Sequence, residues 1–158
     1  MSEQASSGNL YEAPAAAVNG FNAGVIENFH ANGGTVTEGP FRGPTVLLHT
    51  VGAKSGEPRV NPLFYLDHEG RWYVVGSFGG APKSPAWVHN LRANPSAKAE
   101  IGVDGTVRSY DVTARELPEQ ERAAIYEVLI AAAPGFAEYQ KNTSRLIPII
   151  ELVRGEAL

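Results

Sequence analysis

Short runs of β-branched and aromatic residues, broken by turn formers, dominate the chain from Thr45 onward. TVLLHTV (45–51), RVNPLFYL (59–66), RWYVVGS (71–77), AKAEIGV (97–103), TVRSYDVTARE (106–116) and LIPIIELV (146–153) read as six strands. Asp104-Gly105 has the composition of a two-residue hairpin turn between two of them. Helical spacing appears in three other places. Phe21, Val25, Ile26 and Phe29 predict a short amphipathic helix from Gly20 to Asn32. SPAWVHNLRANP (84–95) opens with a capping-type Ser and an early Pro and stops at Asn94-Pro95. From Pro118 to Ala133, Glu119 and Glu121 lie in the first turn, with Leu117, Ile125, Val128, Leu129 and Ala132 on the apolar side, and Pro134-Gly135 ends the helix. Residues 1–19 are small and polar with Ala and Pro, which predicts a mobile arm before a single domain over 20–158.

Six short strands, mostly joined as hairpins and accompanied by few helices, predict a mainly β, α+β fold. Closure into a small antiparallel barrel is the common way to remove exposed edges at this size. Pro62 lies within a strand pattern but cannot donate a ladder hydrogen bond, so its strand should be bulged or at an edge.

Composition narrows the function. With 158 residues, 43% hydrophobic and 19% charged, the chain fits one compact domain with a proper core. A net charge of −4 argues against general affinity for nucleic acid or an anionic membrane. The absence of Cys excludes disulfides, thiolate nucleophiles and thiolate-ligated metals, and suits a cytoplasmic protein. The stretch MSEQASSGNLYEAP lacks a basic start and an apolar core, so no signal peptide is expected, and the longest apolar run, AAIYEVLIAAA, is too short to span a bilayer. The 20–32 helix either packs on the body or touches a membrane surface from the cytoplasmic side; without Lys or Arg to meet headgroups, packing is favoured.

Two segments carry candidate chemistry. GAKSGEPRVNP (52–62) places Lys54, Arg59, Ser55 and two glycines in a turn between apolar runs, a composition that holds a phosphate through converging N–H groups, a hydroxyl and positive charge. An ordinary hairpin turn with solvated charges is the other reading. It is not a Walker A loop, because Ala53 precedes Lys54 and a strand, not a helix, follows. Gly76-Ser77-Phe78-Gly79-Gly80 ends a strand and leaves room for a flat aromatic ligand against glycine backbone, or forms a flexible connection. Together the two could hold both ends of a phosphorylated planar cofactor. His30, His49, His68 and His89 show no metal-ligand spacing, so no metal site is expected. Ser55 and Ser77 lack the context of a hydrolase nucleophile. Tyr126, Phe136 and Tyr139 surround the end of the third helix and could line an apolar pocket or the core.

LLHTVGAKSGEPRVNPLFYL, VVGSFGGAPKSPAWVHNLRANP and EYQKNTSRLIPIIEL, in that order and spacing, resemble the deazaflavin-dependent nitroreductase family of actinobacteria over about residues 20–153. The resemblance implies a six-stranded split β-barrel of the FMN-binding type, monomeric or homodimeric, that binds coenzyme F420. It also implies hydride transfer from the reduced coenzyme to quinones, nitroaromatic compounds or activated enones. By the same resemblance Lys54, Ser55 and Arg59 hold the coenzyme phosphate and acidic tail, and Val60, Asn61, Pro62 and Leu63 pass along the ring. Gly76, Ser77, Phe78, Gly79 and Gly80 meet ring and phosphate, while Trp87, Asn90 and Leu91 close that side. Substrate sits near Ala133, Phe136 and Tyr139, and Ser77, Tyr139 or water returns a proton. Two departures from the pattern bear on affinity and acceptor size: Phe78 stands where close relatives often carry Lys, and Ala133 and Phe136 stand where the member that reduces bicyclic nitroimidazoles has tyrosines. FMN in the same barrel, or sequestration of a flavin-like cofactor without turnover, are the alternatives.

Overall fold

The computed structural model describes residues 15–37, 44–77 and 84–155. Its elements are α1 (Ala15–Ala31), β1 (Thr45–Val51), β2 (Pro58–His68), β3 (Arg71–Val75), α2 (Ala86–Ala93), β4 (Ser96–Val103), β5 (Thr106–Glu116), α3 (Glu119–Ala132), α4 (Gly135–Lys141) and β6 (Ile149–Arg154). The six strands close into an antiparallel barrel in the order β1-β2-β3-β6-β5-β4. This is the architecture expected from six short strands with few helices.

Alternation in each strand sends one set of side chains inward and the other outward. The interior is filled by Val46, Leu48, Trp72, Val74, Ala99, Ile101, Val112, Ile150 and Leu152, and α2 packs Trp87, Val88 and Leu91 into the same cluster. The outer faces are covered by helices. α1 lays Val25 and Phe29 on Leu47, with Ile26 and Val60 alongside, so its apolar side goes to the barrel as the packing reading expects. α3 and α4 cover Leu66, Tyr73 and Ile149 with Leu129, Val128 and Phe136.

Polar contacts fix where these helices sit. His30 of α1 and His49 of β1 each donate from Nε2 to a different oxygen of Glu100 on β4, since an ionised carboxylate only accepts. Burial alone would raise the Glu100 carboxyl; hydrogen bonds from His49 and His30 more than offset it and hold it below its ordinary value. Arg115 of β5 bridges Glu121 of α3 and Glu151 of β6 at 2.9 and 2.8 Å. Past α1 the backbone crosses β4 closely: Gly34 has φ 95°, and a Cβ there would overlap the Cα of Gly102.

Several boundaries differ from expectation. α1 begins at Ala15 rather than Gly20, which leaves residues 1–14 of the expected arm outside the described residues. β6 starts at Ile149, and α4 is an additional helix directly after the expected stop. α2 is capped by Pro85, with no side-chain capping bond from Ser84. Asp104-Gly105 forms the expected hairpin turn, with φ 52° and 79°. Among the described residues no helix is long and apolar enough to cross a membrane.

Candidate active site

The turn between β1 and β2 closes on itself. Gly52 donates to the Glu57 carbonyl (2.8 Å), Gly56 to the Gly52 carbonyl (2.9 Å), and the Glu57 N–H to Ser55 Oγ (3.2 Å). A fourth amide, Ala53 N–H, donates to Oδ1 of buried Asn90 at 2.9 Å, which ties the turn to α2. The expected convergence of N–H groups is therefore narrower than the glycine pattern implied. The amides of Lys54 and Ser55 are uncommitted among the described residues, and so is the Ser55 O–H, whose oxygen is the acceptor. Lys54 is exposed without an ion pair among the described residues, while Arg59 meets Glu57 at 3.8 Å and its neighbour's carbonyl, Pro58 O, at 3.3 Å. One short turn thus carries two exposed cations, with two amides and a hydroxyl uncommitted among the described residues.

The barrel opens beside that turn. β2 pairs with β1 from Pro58 to Phe64, but with β3 only from Tyr65 to His68. Continuing the β2–β3 register would set Gly76 opposite Leu63 and Ser77 opposite Pro62, yet the ladder stops short of them. Gly76 turns instead to the chain before β6: its N–H donates to Pro148 O (2.9 Å), and a Cβ there would stand 2.8 Å from both Pro148 Cγ and Val88 Cγ2. Arg145 takes the remaining backbone acceptors, donating to Gly76 O at 3.1 Å and Ser77 O at 2.8 Å, and it reaches Ser84 Oγ at 3.2 Å. Burial, then the nearby Arg92, lowers the affinity of Arg145 for its proton. Pro62 lies where β2 lacks a second strand partner among the described residues, in keeping with the edge expected for it.

Each expected residue can now be placed. Val60 packs under α1, Pro62 is buried, and Asn61 and Leu63 pair with Leu48 and Val46 and so share their inward face. Gly76 and Ser77 are buried at the parting of β2 and β3; Phe78, Gly79 and Gly80 lie outside the described residues. Trp87 and Leu91 are core residues, and Asn90 supports the turn. Ala133 follows α3, and Phe136 packs at a tilt against Phe64 (5.4 Å between centroids, 45° between planes) and edge-on against Tyr139 (5.5 Å), which is 37% exposed. The α4 side therefore meets β2 one residue beyond Leu63. A shallow cleft of about 530 Å³ between the β2–β3 hairpin and α3, lined by His68, Arg71, Tyr73, Ile125 and Val128, includes none of the expected residues.

The sequence model of the F420H(2)-dependent quinone reductases matches residues 24–153, most of the chain. The chain belongs to that family. It is similar to an F420H(2)-dependent quinone reductase of Mycobacterium tuberculosis, 36% identical over 114 residues that cover 70% of this chain and 74% of the relative. It also resembles the solved F420-H2 dependent reductase FDR-A, at 42% identity and TM-score 0.60 over 69% of this chain and 93% of that one. A solved domain-swapped dimer matches at 36% identity and TM-score 0.62, covering 89% of this chain and 99% of the other. This F420H(2)-dependent quinone reductase family member is thus an oxidoreductase whose cofactor is coenzyme F420.

The residues present fit such a group. The donors of the β1–β2 turn suit a phosphate and carboxylates. Where β2 parts from β3, β2 has no second strand partner among the described residues, an edge that suits a planar ring. An orphaned polar atom also lies at this end: Thr50 Oγ1 is buried without a partner among the described residues, on the residue paired with Arg59. Arg145 was not among the expected site residues, because a lone Arg in a C-terminal segment carries no local signature.

Proposed function

We propose that this family member transfers hydride from reduced F420 to a small planar acceptor, with a quinone as the favoured class and nitroaromatic compounds or activated enones as others. The observation that carries the reading is the parting of β2 and β3 at Leu63 and Gly76, directly beside the cationic turn. When bound, reduced F420 supplies the hydride. The chain's share is to bind and orient. Lys54 and Arg59 neutralise phosphate and tail and Ser55 donates a hydrogen bond to them, Val60 to Leu63 and Gly76 to Gly80 frame the ring, and Trp87, Asn90 and Leu91 back it. Ala133, Phe136 and Tyr139 border the acceptor, and Ser77 Oγ, Tyr139 Oη or water delivers the proton to the reduced acceptor. No strong acid–base pair is needed, because positioning and exclusion of water do most of the protein's part. Contact with a cytoplasmic membrane surface gets no support from α1, whose Val25, Ile26 and Phe29 pack on the barrel.

Titration of the protein with F420 and with FMN, followed by mixing the reduced F420 complex with menadione, tests the reading. Tight FMN binding beside undetectable F420 binding would refute it, and F420 binding without oxidation by any acceptor would favour sequestration. Replacing Lys54 and Arg59 together by alanine should weaken F420 binding by roughly 2–5 kcal/mol, about 30- to 5,000-fold. Unchanged affinity would remove the turn from the site. The 36%-identical relative solved as a domain-swapped dimer makes a homodimer the assembly to seek by light scattering.

A further inference from the structure

We infer that Arg145 is the positioning residue of the coenzyme site: its guanidinium holds the backbone of Gly76 and Ser77 and ties it to Ser84, and so sets where that backbone meets the coenzyme. The assignment rests on the proposed contact of Gly76 and Ser77 with the coenzyme. Among the described residues this side chain donates to the carbonyls of Gly76 and Ser77 and to the hydroxyl oxygen of Ser84. The planar fork of an arginine can hold several acceptors at fixed angles, which a lysine ammonium on a flexible stem cannot. The two carbonyls belong to the residues at which β3 leaves β2, so Arg145 supplies donors where the ladder has stopped.

Arg145 is itself braced. Gln140 of α4 donates from Nε2 to the Arg145 carbonyl (2.8 Å) and accepts on Oε1 from Ile147 N–H (3.1 Å) and from Arg122 Nη2 (2.9 Å). Arg122, buried in α3, also donates from Nε to Ile147 O at 2.8 Å. Gly76 closes the other side by packing against Pro148. A continuous polar chain therefore runs from α3 through Gln140 and Arg145 to the backbone of Gly76 and Ser77. It joins α4, which carries Phe136 and Tyr139, to the backbone of Gly76 and Ser77.

Arg145→Lys keeps the charge but loses the fork, and Ser84→Ala removes one acceptor while leaving the arginine. In each, F420 affinity is read by fluorescence titration, KM and kcat with menadione by steady-state kinetics, and backbone exchange by mass spectrometry of peptides containing Gly76 to Ser84 and, separately, Gly52 to Glu57. For Arg145→Lys the expected result is a roughly tenfold or greater rise in the F420 dissociation constant and KM, as bonds to a charged donor are lost. kcat at saturating coenzyme should be little changed, and exchange should be faster in the 76–84 peptides only. Ser84→Ala should fall between this variant and the parent. Parental exchange in the 76–84 peptides of Arg145→Lys would overturn the clamp, and faster exchange with parental F420 affinity would overturn its role toward the coenzyme. If F420 fails to protect the 76–84 peptides of the parent while the variant loosens them, the clamp stands and the proposed coenzyme contact of this segment falls.

Discussion

Replacing Gly76 by alanine tests the contact that turns β3 away from β2. The added Cβ would sit 2.8 Å from Pro148 Cγ and 2.8 Å from Val88 Cγ2, closer than real Cβ contacts allow. Neither neighbour can yield easily. Pro148 has a rigid ring whose carbonyl accepts from Gly76 itself, and Val88 is fully buried in the barrel core. Relief must come from moving the end of β3, and overpacking of this kind costs about 1–3 kcal/mol. The unfolded chain loses freedom when glycine becomes alanine, which offsets about 0.4–1 kcal/mol. The net expectation is a loss between zero and about 2.6 kcal/mol, about 1.3 kcal/mol at the centre of the two ranges, or a melting temperature lower by about 3–5 °C for a chain of this size. The same shift displaces the carbonyls of Gly76 and Ser77 from Arg145, so F420 affinity should fall with it. Thermal melts followed by circular dichroism, with F420 titration of the same samples, measure both. Gly24→Ala is the matched control: Gly24 lies exposed within α1 with nothing near its missing Cβ, and alanine there should stabilise by about 0.5–1 kcal/mol. If Gly76→Ala also stabilises, or leaves both melting temperature and F420 affinity unchanged, the close packing of Gly76 on Pro148 and Val88 is wrong.

The other expectations concern the rest of the barrel. Glu100 is held below its ordinary value when folded, so its contribution is present above about pH 4.3 and is lost as pH falls through the lowered folded value; Glu100→Gln should flatten that acid limb of the stability profile, and an identical limb in parent and variant would refute the linkage. Thr50 is 3% exposed with a hydroxyl that has no partner among the described residues, so Thr50→Val should leave the coenzyme-free protein as stable or raise it by about 1 kcal/mol, measured by urea unfolding; a clear loss would show that the hydroxyl is satisfied after all.

How far the chain could be read from its residues depended on how local each signal was. The strands were legible because runs of β-branched and aromatic residues between turn formers are local to each one, and Asp104-Gly105 because a tight turn needs its own two residues. Pro134-Gly135 was read as a stop, which it is for α3, but Pro134 also caps α4, since a proline ends one helix and suits the start of the next with the same fixed φ. Ser84 carried the capping pattern, yet its hydroxyl accepts from Arg145, a partner 61 positions away that no local pattern contains. The glycine turn misled in the opposite direction. Gly52 and Gly56 make the bend, but the N–H groups of Gly52, Gly56 and Glu57 close the turn, and the grip on a ligand is left to Lys54, Ser55 and Arg59. The charged residues of such a motif can be named from sequence, whereas the destination of its amides is decided by tertiary contacts such as Ala53 to Asn90. Arg145 is the extreme case: nothing in TSRLIP marks it, and its role exists only because β3 leaves its ladder partner and brings two unpaired carbonyls within reach of one guanidinium. A site framed by strands that separate depends on whatever satisfies the backbone they expose, and in this fold that group comes from the far end of the chain.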